Sequence, residues 1–243
     1  MGGAFFWGAV AGSSLLLGGA ISYAFHIRTR LLGLVMAFGA GVLISAVAYE
    51  LVEEAFATAD AGAAVAIGLF AGSGVFFAGD VLLDRMGAAG RKRSSGEQQG
   101  GAPLAIVLGI VLDGVPESIV LGLTLLPGTG VSVAMLAAIF ISNVPEAIAA
   151  STGLAAAGWR WSRITWLWVV VGLVTALSSL AGYAIFDGAD PDAIAFVLAF
   201  AGGAILTMLA DTMMPEAFEH GGKLVGLFTT LGFALAFAIS ALD

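Results

Sequence analysis

The chain has 243 residues, of which 60% are hydrophobic and 11% are charged, and its formal net charge is −8. Soluble globular domains carry about 25% charged residues, so this composition indicates an integral membrane protein. Cysteine is absent, which excludes disulfides, thiolate metal sites and cysteine nucleophiles. The acidic balance argues against nucleic acid as a partner.

Apolar blocks of about twenty residues predict an all-α membrane protein rather than a barrel, because a helix of that length crosses about 30 Å of hydrocarbon. Polar breaks divide the chain into eight expected spans within a single transmembrane domain. These spans cover residues 2–25, 31–57, 62–84, 103–127, 130–157, 163–186, 191–218 and 222–242. The arginines follow the first span and do not precede it, so we interpret it as a retained span and not as a secretory signal.

The nine Lys and Arg residues fall in alternate connections between the predicted spans. They are Arg28, Arg30, Arg85, Arg91, Lys92, Arg93, Arg160, Arg163 and Lys223. Positive residues mark the cytosolic side, so we expect a multi-pass protein of the cell membrane with both termini outside. The cytosolic linker 85–102 is rich in Gly and Ser and is expected to be mobile.

Two pairs of spans have similar sequences. Residues 40–56 of the second span align without gaps on residues 202–218 of the seventh, and spans four and five share a Val-Pro-Glu segment at 115–117 and 144–146. The predicted topology makes both pairs antiparallel. Such similarity indicates an inverted repeat with a substrate site near the membrane midplane.

The Pro-Glu pairs of spans four and five bring polar side chains to one depth. Asp113 and Glu117 are four residues apart and therefore lie on one face of a helix. Ser142 and Glu146 repeat that spacing on the next span, and Asn143 adds an amide. Each proline also frees a backbone carbonyl one turn back, and that carbonyl needs a partner inside a membrane.

These carboxylates need a counter-charge. An ionised carboxylate at the bilayer centre costs roughly 3 kcal/mol, and no Lys or Arg lies in the middle of a predicted span. We therefore expect that no side chain supplies the counter-charge, and that bound protons or a bound divalent cation with oxygen ligands supplies it. The alternative is that each Pro-Glu pair is only a kink with a protonated glutamate facing a neighbouring helix.

These motifs resemble those of the ZIP (Zrt-, Irt-like) transporters, which carry zinc, iron, manganese and related divalent cations into the cytosol. DGVPES at 113–118 and SNVPEA at 142–147 align with the family's fourth-span and fifth-span motifs. YELVEEAF at 49–56 and TMMPEAFEHG at 212–221 are similar to its Leu-Pro-Glu-Ala segments. The resemblance implies a transporter and not an enzyme, with eight spans in a 3+2+3 arrangement, an inverted repeat and alternating access.

The chain departs from the family pattern in three ways, one of which is that Ser142 and Asn143 stand where the family has stronger donors on span five. Asp113 and Gly114 stand where the family has His-Asn, and span six lacks the glutamate that many members place there. We therefore expect a single transported metal ion and no resident cofactor. Oxygen ligands in place of imidazole shift the expected preference from Zn²⁺ toward harder ions such as Mn²⁺, Fe²⁺ or even Mg²⁺. The expected ligands are Asp113, Glu117, Ser142, Asn143 and Glu146.

A second group of residues near the cytosolic ends of spans three and seven would suit a metal exit site. Its members are Asp80, Asp84, Glu216, Glu219 and His220. Glu216 and His220 are four apart on one helical face, a spacing that would suit metal ligation. A histidine at a helix end is equally a favourable terminal charge.

Two other functions remain open at this point. A transport-inactive or proton-coupled relative would explain the missing span-four histidine, and an intramembrane hydrolase would use paired carboxylates as general acid and base. The expected partners are the divalent metal and the lipid bilayer. Gly-rich and Ala-rich spans also permit a homodimer.

Overall fold

A computed structural model describes residues 1–60, 62–91, 93–95, 103–128 and 130–242. Within these residues the chain forms α-helices and no β-strand, which confirms the all-α prediction. The helices are α1 (Gly2–Ala24), α2 (Thr29–Ala46), α3 (Glu54–Thr58), α4 (Gly62–Leu83), α5 (Pro103–Leu123), α6 (Val133–Ala156), α7 (Trp161–Phe186), α8 (Pro191–Met208), α9 (Met214–Gly221) and α10 (Val225–Ser240). The π-helical turns Val47–Glu53, Asp84–Ala88 and Leu209–Met213 extend α2, α4 and α8.

Seven helical stretches of the described chain are long and apolar enough to cross a membrane, as in a multi-pass membrane protein. They are Gly2–Ala24, Thr29–Thr58, Gly62–Ala88, Leu104–Leu123, Val133–Ala156, Trp161–Phe186 and Pro191–Ser240. The first six agree with predicted spans one to six to within a few residues. The last stretch has 50 residues and includes both regions that we predicted as spans seven and eight.

Local sequence sets where two of the helices begin. The hydroxyl of Ser132 accepts a hydrogen bond from the backbone N–H of Met135 at 3.0 Å, so it caps α6. Asp190 caps α8 in the same way by accepting from the N–H of Asp192 at 2.9 Å, and Pro191 fills the first helical position. The Ser132 cap explains why α6 begins after the predicted start of span five.

The long helices pack as two groups. The α1 group contains α1, α5, α6 and α7, in which α1 contacts α6 and α7, and α5 contacts α7. The α2 group contains α2, α4, α8, α9 and α10, in which α4 packs on α8, and α2 packs on α9 and α10. Contacts of α2 with α6, and of α5 with α4 and α8, join the two groups.

The contacts inside the α2 group occur in two matching sets. Gly41 of α2 packs against the backbone of α10, and Gly203 of α8 packs against the backbone of α4. These are glycines that the internal sequence match aligns. At both positions a Cβ would collide with a carbonyl oxygen, so only glycine permits the close approach. The π-helical turns Val47–Glu53 and Leu209–Met213 also begin at aligned positions.

The first part of the linker folds onto the helices at the end of the bundle where α4 ends and α5 begins, which we name the linker face. Its buried side chains are Ala88, Arg91 and Ser94. Every third residue thus faces the bundle, and the mobility expected of the linker stays a prediction. Lys92 and residues 96–102 lie outside the described chain.

Candidate functional site

A small cavity lies between the middle turns of α5 and α6 and is lined by polar side chains of both Pro-Glu motifs. These side chains are Asp113, Glu117, Asn143 and Glu146. The central cavity has a volume of about 20 Å³, which is room for one water molecule or one ion. The structure thus brings together every predicted ligand except Ser142.

The polar side chains of the central cavity are almost fully shielded. The exposed fraction is 3% for Asp113, 2% for Glu117, 6% for Asn143 and 6% for Glu146. An isolated buried charge costs several kcal/mol, so carboxylates at this depth are stable only with protons, cations or hydrogen-bond donors beside them. The carboxylates of the cavity therefore need protons, a cation or hydrogen-bond donors beside them.

Both helices run without a break through their prolines, Pro116 in α5 and Pro145 in α6. The stacking of Asp113 over Glu117 that the sequence predicts is therefore preserved. Ser118 also lines the cavity, and its hydroxyl donates to the carbonyl of Gly114 at 2.6 Å. The prolines thus leave the ligand-bearing faces of the two helices intact.

Ser142, the remaining predicted ligand, points elsewhere. Its hydroxyl is fully buried and donates to the carbonyl of Ile139 at 3.1 Å. A hydroxyl from α7 lines the cavity instead, because Thr175 reaches it while donating to the carbonyl of Val171 at 3.0 Å. A hydroxyl oxygen that donates one hydrogen bond retains acceptor capacity. Thr175 therefore presents a neutral acceptor oxygen to the cavity from span six.

Arg91 supplies a counter-charge that the sequence reasoning ruled out. Its guanidinium binds both oxygens of Asp113, with Nε 3.0 Å from Oδ2 and Nη2 2.8 Å from Oδ1. Nη2 also donates to Asp80, and Nη1 donates to Asp84 at 3.4 Å. The expectation that no side chain neutralises the buried carboxylates is wrong for Asp113, because the arginine comes from the linker and not from a span.

Arg91 keeps its positive charge in this buried position. Burial lowers the pKa of the guanidinium, but the attraction and hydrogen bonds of Asp113 and Asp80 outweigh burial and hold the pKa above its ordinary value. The guanidinium is therefore cationic throughout the physiological pH range. Asp113 consequently faces a permanent positive charge on its linker side.

The predicted exit-site residues on α4 lie beside Arg91. Asp80 and Asp84 line a cavity of about 210 Å³ at the linker face, and Asp211 and Arg91 also line it. These acidic side chains surround a cation that belongs to the protein itself. Arg91 is thus the charged partner of Asp80 and Asp84.

The predicted exit-site residues on α9 have a different partner. Nε2 of His220 lies 3.1 Å from Oε1 of Glu216, as their four-residue spacing predicts. Ser94 of the linker donates to the same Glu216 oxygen from its backbone N–H at 2.9 Å and from its hydroxyl at 2.6 Å. Glu219 lies at the surface, 3.8 Å from Arg93.

Among the described residues, no group of three or more His, Asp or Glu side chains is arranged to hold a metal ion alone. A metal in the central cavity would therefore draw on the amide of Asn143 and on hydroxyl oxygens as well as on carboxylates. Hard divalent cations accept such mixed oxygen donors.

Sequence reasoning missed Arg91, Ser94 and Asp211. Arg91 and Ser94 stand in a Gly-rich polar segment that resembles a solvated linker, and their only sequence signal is the three-residue spacing from Ala88. Asp211 is a charged residue within an apolar span, which is itself a signal of function. These three residues lie at the linker face, whereas Thr175, which the predicted ligand set also lacks, lines the central cavity.

No protein-family model matches the chain, and no curated protein sequence matches it. The fold and the site define a helical multi-pass membrane protein with a buried polar cavity. The resemblance to the ZIP transporters rests on the motifs themselves.

Proposed function

We propose that this protein is a cell-membrane transporter of divalent metal cations that works by alternating access. The observation that carries the proposal is the central cavity, where side chains of two similar Pro-Glu motifs meet around a space of about 20 Å³. Buried oxygen donors around a space for one ion are the arrangement that a hard divalent cation requires. Ionisable residues inside a membrane are also costly unless they bind or relay something.

An eight-span topology is part of this proposal. Gly222 has a φ of 60°, and the 3₁₀ turn Gly222–Leu224 separates α9 from α10. After this turn α10 packs on α2. These features support two crossings within the stretch Pro191–Ser240, whose 50 residues exceed the roughly 20 that one crossing needs. With an even number of spans, both termini lie on one side, and the positive-inside rule favours the outside.

The packing of the helices supports an inverted repeat. An inverted repeat would exchange spans one to three with spans six to eight, and span four with span five. Helix α2 then takes the place of α8, and α10 takes the place of α4, so the α2–α10 contact becomes the α8–α4 contact. The same exchange converts the α1–α6 contact into the α7–α5 contact. All four contacts occur. We therefore infer that the central cavity lies on the axis between the repeats, where transporters of this type bind substrate.

Five polar residues of the central cavity have roles in the proposal. Glu117 and Glu146 are the core ligands, and Asp113 takes the position of the histidine found in ZIP transporters. Asn143 and Thr175 add neutral oxygen donors. A site of oxygen ligands favours Mn²⁺ or Fe²⁺ over Zn²⁺.

A larger cavity at the opposite end of α5 supports a route into the site. It has a volume of about 420 Å³, and Glu50 and Glu54 line it. Carboxylates at the mouth of a cleft concentrate cations. Glu50 also accepts hydrogen bonds from the hydroxyls of Ser132 at 2.8 Å and Ser240 at 2.6 Å, which ties the α2 group to α6. Movement of the α1 group against the α2 group would break the Ser132 contact.

Uptake into proteoliposomes tests the proposal. Replacing Glu117 and Glu146 together by Ala should abolish uptake of Mn²⁺ and Fe²⁺, because the core ligands are lost. Glu53→Ala is the control, since Glu53 is exposed and lies outside the central cavity. Wild-type uptake by the double variant would contradict the proposal. Uptake against a panel of Zn²⁺, Mn²⁺, Fe²⁺, Co²⁺, Cd²⁺ and Mg²⁺ identifies the ion.

One observation favours a second candidate, a transport-inactive relative. The guanidinium of Arg91 already neutralises Asp113, an arrangement that suits a site which no longer binds metal. Direct binding of Mn²⁺ to the purified protein separates the two candidates, because the inactive relative binds none.

A further inference from the structure

Arg91 reaches the side of the central cavity from outside the helices. Gly87, with φ of 103°, and Gly90, with φ of 67°, take left-handed backbone conformations that turn the chain after α4. The backbone N–H of Arg91 donates to the carbonyl of Ala88 at 3.1 Å and closes the turn. The side chain of Arg91 is consequently directed into the bundle, where only 2% of the residue is exposed.

Helix α5 has a gap in its surface that this arginine fills. A Cβ at Gly109 would collide with Cδ of Arg91 and lie 2.8 Å from its Nε. At Gly114, on the same helix, a Cβ would meet nothing within 4 Å. Gly109 is therefore required for the position of Arg91, whereas Gly114 is not.

The guanidinium lies between the two helix groups and between two cavities. It joins Asp113 on α5, in the α1 group, to Asp80 on α4, in the α2 group. Asp113 lines the central cavity, and Arg91 lines the cavity of about 210 Å³ at the linker face. The contact between Arg91 and Asp113 therefore joins the lining of one cavity to the lining of the other.

We propose that Arg91 is a built-in cation that competes with the transported metal for Asp113 and closes the linker side of the central cavity. This inference rests on the proposed function, because competition requires a metal at that site. A divalent cation beside Glu117 repels the guanidinium through a medium of low dielectric constant. Arg91 then leaves Asp113, and the bridge from α5 to α4 is lost. Metal binding and opening toward the linker face are thereby coupled.

Metal affinity of the purified full-length protein tests the competition. Arg91→Gln should lower the Kd for Mn²⁺ by about tenfold, which is typical of coupled sites, because Asp113 no longer binds a tethered cation. Arg91→Lys keeps one charge without the two-point contact, so its Kd should lie between those of Arg91→Gln and the wild type. Arg93→Gln is the matched control, since Arg93 is 40% exposed and pairs with Glu219 at the surface. Equal Kd values for Arg91→Gln and Arg93→Gln would overturn the proposal.

Access to the central cavity tests the closure without any metal. The chain has no cysteine, and Gly114 lines the cavity with space for a side chain, so Gly114→Cys places a single reporter there. A small charged thiol reagent should modify this cysteine slowly when Arg91 is present and severalfold faster with Arg91→Gln. Equal rates in the two backgrounds would show that Arg91 does not close the cavity.

The two assays separate failure of the inference from failure of the proposed function. If neither the wild type nor Arg91→Gln binds Mn²⁺, the proposed function fails and the competition fails with it. If both bind Mn²⁺ equally well, only the role of Arg91 is wrong.

A variant that retains the arginine guards against loss of the fold. Gly109→Ala displaces Arg91 without removing a charge and should lower the Kd for Mn²⁺ in the same direction as Arg91→Gln. Gly74→Ala on α4 is its control, because Gly74 is exposed and outside the central cavity and the added methyl group meets nothing within 4 Å. Thermal unfolding verifies that each variant is folded. A folded Gly109→Ala protein with the affinity of Gly74→Ala would count against the proposal.

Discussion

The central cavity and the linker face look alike in sequence and differ in structure. Both place carboxylates in apolar helices. In the central cavity, Glu117 and Glu146 line a space of about 20 Å³, whereas at the linker face Asp80 and Glu216 are bound by side chains of the linker. An acidic residue in a membrane span is therefore a good ligand candidate only once the segments outside the spans have been placed, because a linker can provide its counter-charge.

Asp113 belongs to both regions. It lines the central cavity with Glu117, and it is paired with Arg91. Loss of its carboxylate therefore has a structural consequence that loss of the Glu117 carboxylate lacks.

Stability of the folded protein should show the largest difference between the two regions. Asp113→Asn removes the two-point partner of the buried guanidinium of Arg91 but leaves Asp80 beside it, so we expect a loss of roughly 3 kcal/mol, the lower end for a broken buried ion pair. Glu117→Gln removes one of several neighbouring buried carboxylates, so we expect a loss below about 1 kcal/mol. Thermal unfolding in detergent measures both variants. Equal destabilisation by the two would remove the distinction between the regions.

The linker contact with Glu216 should have the next largest effect. Glu216→Ala removes the acceptor of two hydrogen bonds from Ser94, one of them from its backbone, and roughly 2 kcal/mol of local stability is expected to go with them. Opening of the linker should become about thirtyfold more frequent, and trypsin cleavage after its basic residues should rise accordingly.

Glu219→Ala is the control for that cleavage. Glu219 is half-exposed and lies 3.8 Å from Arg93, and exposed pairs of this kind contribute little. Cleavage that rises as much in Glu219→Ala as in Glu216→Ala would show that Ser94 does not hold the linker.

Local sequence rules predicted the all-α fold and the convergence of the cavity side chains, with one open boundary. Hydropathy placed the first six spans to within a few residues, and the four-residue spacing placed Asp113 and Glu117 on one face of α5. Spans seven and eight stay a prediction, since helical structure continues through Pro191–Ser240.

Tertiary packing, which sequence spacing does not encode, set the position of Arg91. The inward turn depends on left-handed conformations at Gly87 and Gly90, and the place that receives the side chain depends on Gly109 of a later helix. Glycines are frequent in every span of this chain, so none of them marks that place in the sequence. For this reason, the expectation that no side chain supplies the counter-charge was wrong for Asp113.

The choice between Ser142 and Asn143 was likewise beyond the sequence. At about 100° per residue, Ser142 lies about 40° to one side of Glu146 and Asn143 about 60° to the other, so spacing alone favours neither. The rotation of α6 against α5 decides, and it turns Asn143 to the cavity while Ser142 bonds to the carbonyl of Ile139.

The smallest of the expected effects is the difference in Mn²⁺ affinity between variants of Asn143 and Ser142. Asn143→Ala should raise the Kd for Mn²⁺ by about fivefold, because the metal loses one neutral oxygen ligand and its charge-assisted contact is worth about 1 kcal/mol or more. Ser142→Ala removes a hydroxyl that serves only α6, and its Kd should stay within about twofold of the wild type. The two residues are neighbours on one helix and differ in whether they line the cavity, so titration of Mn²⁺ into the two purified variants isolates that difference. A larger loss of affinity in Ser142→Ala than in Asn143→Ala would contradict this assignment. Metal would then bind to a rotated α6, and the cavity described here would be the arrangement of the helices without metal.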